Sequence, residues 1–202
     1  MKVKETSRQT KGKATKKKIY TVAKELILTK GYNNVTVDEI CEKCTLSKGA
    51  FYIHYKSKED IVKKLFRDDY SEYMDINFGK YVHEHKDASP VDRLKKFMMV
   101  ALSFPLVVGE ELTKLTFIMN LSLNSTEPSY FADCIKQDLF YEAIEEGLSR
   151  SLFRDDLSIE DIVNCVYSFI TGAIVTWCLS DSDYDIEKVS GKMIDTLIRG
   201  LQ

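Results

Sequence analysis

The chain has 202 residues, 44% of them hydrophobic and 30% charged, with a formal net charge of −2, which is typical of an ordinary globular protein. Its three prolines and nine glycines are too few for the frequent turns of a β-sandwich or barrel, and they favour long helices. The N-terminus lacks the apolar segment of a secretory signal, and the longest apolar stretch, residues 170–179, is shorter than the roughly 20 residues of a membrane span. Five cysteines, an odd number, favour reduced thiols over a disulfide framework. We therefore expect a cytoplasmic, all-α protein with no membrane partner.

Charge is distributed unevenly along the chain. Residues 1–64 carry 16 Lys and Arg against 7 Asp and Glu, and residues 65–202 carry 13 against 24, so the two parts have net charges of +9 and −11. Eight of the basic residues lie between Lys2 and Lys18, where Gly12 and the scarcity of apolar residues predict a mobile basic arm. Such an arm is either a solvated tail or a segment that follows the phosphates of a nucleic acid.

Two helices are predicted after this arm. The first covers residues 15–30 and ends at Gly31. Its apolar residues recur with the spacing of one helical face and are Ile19, Val22, Ala23, Leu26 and Ile27. The second begins after Thr36, which is followed three positions later by a glutamate and so predicts a capping box. Cys41 and Cys44 lie on the apolar face of this short helix, and we interpret them as core residues because no second pair completes a zinc site.

The third predicted helix covers residues 48–55 and starts after Ser47, a good N-cap residue. Only Phe51 and Tyr55, four positions apart, are suited to anchor it in a core. The other residues are mostly small, basic or hydrogen-bonding and include Lys48, Gly49, Ala50, Tyr52 and His54. Two short helices joined by a tight turn, the second with such an outer surface, predict a helix-turn-helix unit whose second helix enters the major groove of DNA.

Three residues at the start of this helix are suited to contacts with bases. Gly49 and Ala50 let the backbone approach the base edges, where a bulky side chain would hold it away, and the Ala50 methyl can contact a thymine. Lys48 can reach a guanine or a phosphate. We therefore expect this end of the helix to lie against the base edges.

The following residues are suited to contacts with phosphates. Tyr52 and His54 carry hydrogen-bond donors for phosphate oxygens, although a single histidine on a surface more often binds nothing. Ser57 and Lys58 place a cap and a cation at the start of a fourth helix, a position that favours an anion. The stretch as a whole is therefore predicted to bind double-stranded DNA.

The segment GYNNVTVDEICEKCTLSKGAFYIHYKSKEDIV, residues 31–62, resembles the DNA-binding signature of the TetR family of transcriptional regulators almost position by position. The resemblance implies phosphate contacts for Thr36, Tyr52, His54 and Lys58, and positions near the bases for Lys48, Gly49 and Ala50, with Ser47 as the cap of the DNA-binding helix. It also implies that residues 1–62 form a helix-turn-helix domain with a basic arm. Residues 63–202 would then form a larger helical domain that binds an effector and pairs two subunits, with about nine helices in the whole chain.

The residues beyond the signature predict six further helices, each bounded by Pro, Gly, Ser or Asp. They cover residues 58–86, 90–104, 110–123, 128–149, 159–179 and 185–201. Pro90 and Pro128 suit first-turn positions of their helices. With the three helices of the N-terminal part, the predicted total is nine.

The predicted helix at residues 159–179 is apolar on two sides, and both sides have to be covered. One alternative is burial within a single subunit. The other, which the resemblance also implies, is a two-fold four-helix interface between the last two helices of two subunits. Its expected residues are Phe169, Gly172, Thr176, Met193 and Leu197. Such a homodimer would present two recognition helices roughly 34–36 Å apart and bind a palindromic operator.

The stretch FMMVALSFPLVVGEELTKLTFIMNLSL, residues 97–123, is rich in Phe, Met and Leu. Such residues are commonly plain core, but methionines and aromatics also suit an adaptable cavity for a small molecule. The expected pocket residues are Phe97, Met98, Phe104, Phe117, Phe140, Tyr141, Tyr167 and Trp177. We expect a mostly hydrophobic, aromatic or lipid-like effector.

Three classes of function are compatible with the chain to different degrees. The leading hypothesis is a homodimeric repressor that a small molecule releases from its operator. The alternative is a protein-partnered adaptor or activator, or a nucleoid-associated factor, which would have a filled core and an exposed apolar patch. An enzyme is not expected, because the sequence shows no nucleophile elbow, phosphate loop, metal cluster or paired-carboxylate motif. We accordingly expect no metal and no cofactor.

Overall fold

The computed structural model of the chain describes residues 7–121, 138–180 and 184–202. All regular structure in these ranges is helical, which confirms the predicted all-α class. The chain divides into two compact units, Met1–Phe66 and Arg67–Gln202. The division falls a few residues beyond the boundary that the sequence predicts.

The first unit is built from three helices and the beginning of a fourth. They are α1 (Ser7–Lys30), a 3-10 turn (Tyr32–Asn34), α2 (Val37–Cys44), α3 (Lys48–His54) and α4 (Lys58–Met74), the last of which also contains residues of the second unit. α1 packs against α2 and against the 3-10 turn, and α2 packs against α3. Gly31 follows α1 with a φ of 80°, a conformation that suits the predicted C-terminal glycine.

The basic segment before Ile19 is helical from Ser7 onward, so the prediction of a mobile arm is wrong for residues 7–18. Lysine is a good helix former, and a helix that already contains the buried Ile19 extends at little cost. Lys18 also has a structural partner, because its ammonium donates a 2.9 Å hydrogen bond to the Cys44 carbonyl at the end of α2. Helix propensity therefore outweighs the scarcity of apolar anchors in this segment.

The core of the first unit contains residues from all four of its helices. Its buried side chains on the helices and at Tyr55 are Ile19, Ala23, Leu26, Ile27, Ile40, Cys41, Cys44, Phe51, Tyr55, Ile61 and Val62, and Tyr32 and Val35 between α1 and α2 are buried as well. The set includes both cysteines and both predicted anchors of α3. Full burial of a large apolar side chain contributes about 1.5–3 kcal/mol. Since α3 has seven residues and is too short to be stable alone, Phe51 and Tyr55 hold it in place.

The second unit is organised around one central helix. Its elements after α4 are a π-helical segment (Asp75–Gly79), α5 (Lys80–Glu84), α6 (Pro90–Val108), α7 (Glu110–Leu121), α8 (Asp138–Ser149), α9 (Ile159–Leu179) and α10 (Ile186–Leu201). α6 packs against α7, α8, α9 and α10. Within the described ranges the chain has nine helical stretches if α4, the π-helical segment and α5 count as one, in agreement with the predicted number. Residues 122–137, including Pro128 of a predicted helix start, lie outside the described residues.

α6 differs from its prediction at its C-terminal end. The sequence predicts that it stops at Phe104, before Pro105, but the helix continues to Val108. A proline inside a helix removes one backbone hydrogen bond. Here the Pro105 ring is buried, and its carbonyl accepts a 2.9 Å hydrogen bond from the Gly109 N–H, which closes the last turn. Burial of the ring and this closing bond offset the lost bond.

α9 is long and apolar enough to cross a membrane by length and composition, a test that core helices of non-membrane proteins also pass. One of its faces is buried in the second unit and contains Ile162, Val166, Ile170, Ala173, Ile174 and Cys178. The opposite face is largely exposed within a single chain. One of the two predicted apolar sides is therefore buried, and the other is left exposed by the residues that the structure describes.

Candidate nucleic-acid interface and effector region

The two helices of the predicted helix-turn-helix begin at capped positions. The Thr36 hydroxyl oxygen accepts a 3.2 Å hydrogen bond from the Glu39 N–H, and the Ser47 hydroxyl oxygen accepts a 3.1 Å hydrogen bond from the Ala50 N–H. Both N-caps are confirmed. The Glu39 carboxylate accepts a hydrogen bond from the Lys30 ammonium at 2.5 Å, so it is engaged with α1 rather than completing the predicted capping box.

The turn between α2 and α3 contains a residue in an unusual conformation. Thr45 has a φ of 54° and a ψ of 48°, the left-handed region that a β-branched residue rarely adopts. Its N–H and that of Leu46 close the end of α2 with 2.9 Å hydrogen bonds to the carbonyls of Glu42 and Cys41. This strain was not predicted from the sequence, although a two-residue break between short helices often needs a glycine at this position.

α3 has one buried side and one exposed side, as predicted. Phe51 and Tyr55 are buried, and the Tyr55 hydroxyl donates a 3.3 Å hydrogen bond to the Lys16 carbonyl of α1. The Tyr52 ring lies edge-on to Phe51 at 5.3 Å between centroids but is itself exposed. Contacts of the buried side therefore orient the helix, and its outer side is accessible to a partner of the chain. The exposed residues of α3 are Lys48, Gly49, Tyr52 and Ile53, with Ala50 and His54 partly exposed.

Lys48 has an acidic neighbour at the surface that was not predicted from the sequence. Its ammonium lies 2.7 Å from the Asp38 carboxylate of α2, and both side chains are well exposed. This hydrogen bond raises the pKa of the Lys48 ammonium, which stays charged. Because exposed ion pairs are weak, Asp38 positions Lys48 without preventing its contact with another anion.

Ile53 also lies on the exposed side of α3 and was not predicted as a functional residue. Its side chain is 80% exposed, which is unusual for an isoleucine. The helical periodicity of the sequence indicates this exposure, because Ile53 does not lie on the side of α3 that contains the buried Phe51 and Tyr55. The outer side of α3 therefore carries both polar and apolar side chains.

Lys58 is placed differently from its prediction as a phosphate contact. Its ammonium donates hydrogen bonds to the carbonyls of Tyr32 at 2.6 Å and Val35 at 2.7 Å, and it lies 3.9 Å from the centroid of the Tyr32 ring. Burial lowers the pKa of the Lys58 ammonium. The side chain thus fastens the segment between α1 and α2 to the start of α4, instead of offering a free cation to a phosphate.

A second contact strengthens the same junction. The Tyr32 hydroxyl donates a 2.7 Å hydrogen bond to the Glu59 carboxylate. Burial, followed by the nearby Glu59, raises the pKa of the Tyr32 hydroxyl, and hydrogen bonds from Ser57 and Tyr32 lower the pKa of Glu59. At neutral pH the pair is therefore a neutral phenol donating to a charged carboxylate, which is a strong type of hydrogen bond.

The residues predicted to line an effector pocket belong to separate packing groups in the second unit. Phe97 stacks on Phe140 with 4.2 Å between ring centroids, whereas Phe104 contacts the rings of Tyr70 and Tyr73 at 5.2 and 5.4 Å. Of the predicted set, Phe97, Met98, Phe104 and Phe140 are buried, and Phe117, Tyr141, Tyr167 and Trp177 are partly exposed. Periodicity identifies these residues as apolar contacts but does not show that they surround one cavity.

A groove with a volume of about 180 Å³ lies between α6 and α10. It is lined by Met99, Leu102, Ser103, Glu187, Ser190 and Gly191, none of which was predicted to line a pocket. The Ser103 hydroxyl donates a 3.0 Å hydrogen bond to the Glu187 carboxylate across it. The groove is thus partly apolar and carries one carboxylate that already has a partner.

The residues predicted for a subunit interface are accessible in the single chain. Gly172, Thr176 and Met193 are exposed, and Phe169 and Leu197 are partly exposed. Leu179, at the end of the same side of α9, is 82% exposed. α9 and α10 pack against each other, so these residues belong to one pair of helices that leaves apolar side chains uncovered.

Comparison with known proteins gives a family match in the first unit. Residues 19–65 match the family of bacterial regulatory proteins described as the tetR family. These residues include all of α2 and α3, the C-terminal half of α1 and the start of α4. The matched segment therefore contains the exposed side of α3.

The similarity to individual proteins extends over most of the chain. The fatty acid metabolism regulator protein of Bacillus subtilis is 20% identical over 186 residues, covering 91% of this chain and 93% of that protein. The HTH-type transcriptional repressor KstR2 of Mycolicibacterium smegmatis is 24% identical over 188 residues, covering 89% and 87%. The crystal structure of Thermus thermophilus FadR, a TetR-family transcriptional repressor in complex with lauroyl-CoA, superimposes with a TM-score of 0.71 at 18% identity, covering 93% and 95%. At this identity, the structural likeness establishes the fold.

Proposed function

Because this chain belongs to the TetR family of bacterial transcriptional regulators, we propose that it acts as a homodimeric repressor that an apolar small molecule releases from a palindromic operator. It is a regulator and not an enzyme. The observation that carries the proposal is α3, which is capped by Ser47, anchored by Phe51 and Tyr55, and accessible on the side that holds Lys48 and Tyr52. The net charge of +9 in residues 1–64 supports attraction to DNA in the cytoplasm.

The uncovered side of α9 and α10 supports a homodimer. Leu179 and Met193 expose apolar surface, and Gly172 and Thr176 are small enough for another helix to come close. A two-fold axis would bring the same two helices of a second copy against this surface and form a four-helix interface. Two copies of α3 related by that axis would read two inverted half-sites, which is why we propose a palindromic operator.

The composition of the second unit and the named relatives support an acyl-chain effector. The interior contains Met98 and the stacked rings of Phe97 and Phe140, which suit a long apolar ligand better than a charged one. A relative is named a fatty acid metabolism regulator, and a similar structure holds lauroyl-CoA. We therefore propose fatty acyl thioesters as the effector class.

Release requires that the effector bind one arrangement of the second unit better than the other, because a ligand with equal affinity for both shifts nothing. α4 is a continuous helix with residues in both units. It is therefore the covalent route by which a change in the second unit can alter the presentation of α3. We propose that effector binding acts through α4.

The decisive experiment measures binding to the DNA upstream of the protein's own gene by fluorescence anisotropy at rising salt, followed by titration of the complex with lauroyl-CoA, stearoyl-CoA and free CoA. The affinity should fall steeply with salt, and the acyl thioesters, but not free CoA, should release the duplex. Tyr52→Ala should weaken binding to all duplexes. Its matched control is Leu28→Ala, which removes an exposed apolar side chain of α1 and should change nothing.

If acyl thioesters bind at saturation and leave the DNA affinity unchanged, the release model is wrong and the adaptor hypothesis replaces it. If the purified chain is monomeric and binds neither its upstream region nor any duplex selected from a random library, the repressor proposal fails as a whole.

A further inference from the structure

The exposed side of α3 has two stripes with different chemistry. Lys48 and Tyr52 are four positions apart and form a polar stripe, while Gly49 and Ile53, also four apart, form a stripe without hydrogen-bonding side chains. A helical side chain points back towards the preceding turn, so Ile53 leans over Gly49. A Cβ atom at Gly49 would meet only the Ser47 hydroxyl oxygen, at 3.8 Å, so the space in front of its backbone is open.

None of the described residues of the first unit covers the Ile53 side chain. Its side chain is 80% exposed, more than any other large hydrophobic residue described in that unit. A β-branched residue is also a weaker helix former than the Lys, Arg or Gln that an exposed position tolerates. Ile53 therefore contributes little to stability where it is, and its side chain offers a partner only apolar contact.

DNA presents one common apolar group in its major groove, the C5-methyl group of thymine. Phosphates and the polar base edges need hydrogen-bond donors or acceptors, which Ile53 lacks and which Lys48 and Tyr52 supply. We propose that Ile53, above the open backbone at Gly49, contacts a thymine C5-methyl group in each operator half-site. This inference rests on the proposed binding of α3 in the major groove. It makes Ile53 a specificity-determining residue.

The test uses a methyl deletion in the DNA together with a side-chain deletion in the protein. A duplex is first selected from a random library with the full wild-type chain, and each thymine is then replaced in turn by deoxyuridine, which removes only the methyl group. Replacing the contacted thymine in a single half-site should lower the wild-type affinity about four-fold. Replacing the equivalent thymine in both half-sites should lower it roughly fifteen-fold. Other thymines act as internal controls.

Ile53→Ala should weaken binding to the thymine duplex and abolish the deoxyuridine effect at that position alone. Ile53→Val, which keeps a branched side chain, should retain most of the effect, and the control Leu28→Ala should retain all of it. Since alanine is a better helix former than isoleucine at an exposed site, the variant should stay folded, and circular dichroism checks this.

The proposal is overturned if Ile53→Ala shows the same deoxyuridine penalties as the wild type, or if no thymine in the selected duplex is sensitive to loss of its methyl group. In both cases the selected duplex still binds, so the proposed regulator function stands. If the wild type selects no duplex at all, the proposed function fails and this inference fails with it.

Discussion

The first unit combines buried apolar anchors with specific hydrogen bonds around α3, whereas the second unit is organised mainly by apolar packing. Ser47 caps α3 and Lys58 fastens the segment before α2, with donor–acceptor distances between 2.6 and 3.1 Å. In the second unit, Phe97 and Phe140 join α6 to α8 by ring stacking. Hydrogen bonds fix geometry at single atoms, while packing depends on volume. Substitutions that alter a hydrogen bond or the backbone conformation should therefore have their effects in the first unit. Substitutions that alter the volume or the burial of a side chain should have their effects in the second unit.

The largest expected effect concerns the uncovered surface of the second unit. Met193→Glu places a carboxylate in the proposed four-helix interface, where an unpaired buried charge costs about 3 kcal/mol or more and weakens association at least roughly a hundred-fold. Sedimentation velocity at micromolar concentration should show a monomer for the variant and a dimer for the wild type. Leu106→Glu is the control, because Leu106 is 47% exposed on α6 against 41% for Met193 on α10. If the Met193→Glu variant is still a dimer, α10 is not part of the interface.

The next effect tests whether Lys58 is a structural residue. Lys58→Met removes two hydrogen bonds from a charged donor and should lower the free energy of unfolding by about 1.5–3 kcal/mol in urea denaturation. Below the unfolding transition, the salt dependence of DNA binding should keep its slope, since no phosphate contact is lost. Loss of a direct phosphate contact would reduce that slope by roughly 0.9. The exposed Lys56 is the control, and Lys56→Met should leave stability unchanged.

A volume change tests the packing of the second unit. Gly147 is buried on α8, and a Cβ atom there would overlap the Phe153 ring. Gly147→Ala should lower the free energy of unfolding by about 1–3 kcal/mol, because the ring has to move out of a packed site. Gly200→Ala on α10 adds the same methyl group in open space and should leave stability equal or slightly higher. Equal stabilities for both variants would mean that the Phe153 ring can move aside without a loss of stability.

The smallest expected effect is a gain in the free energy of unfolding. Thr45 occupies the left-handed region with a φ of 54°, at a cost of order 1–3 kcal/mol that glycine avoids. Because glycine also loses more backbone entropy on folding, Thr45→Gly should raise the free energy of unfolding by a net of about 1 kcal/mol. Thr29→Gly in α1 is the opposite control, since glycine inside a helix destabilises. A loss of stability in Thr45→Gly would show that the threonine side chain has a favourable contact there.

The features that follow from neighbouring residues were predictable from the sequence. The caps Thr36 and Ser47 bond to N–H groups three positions away, and the anchors Phe51 and Tyr55 are one turn apart. The role of Lys58 was not predictable, because its carbonyl partners are 26 and 23 positions earlier in the chain. Such a contact depends on how helices are arranged in space.

The predicted effector residues show the same limit. The periodicity of α6 indicates that Phe97 and Phe104 are buried, but not that they pack with different partners, Phe97 with Phe140 and Phe104 with Tyr70. The burial of a residue follows from local pattern, while its neighbours follow from tertiary packing. The helical state of residues 7–18 was missed for a related reason, because a helix that is nucleated elsewhere can extend into a segment without apolar residues.

If α3 binds DNA as proposed, the ion pair between Lys48 and Asp38 has a consequence for how quickly the protein finds its operator. The Asp38 carboxylate lies 2.7 Å from the Lys48 ammonium and would repel the negative backbone of any duplex, so random stretches of DNA would be held less firmly. Only a sequence that offers Lys48 a better acceptor would replace the aspartate. A weak intramolecular partner would thus shorten the time spent on wrong sequences during the search.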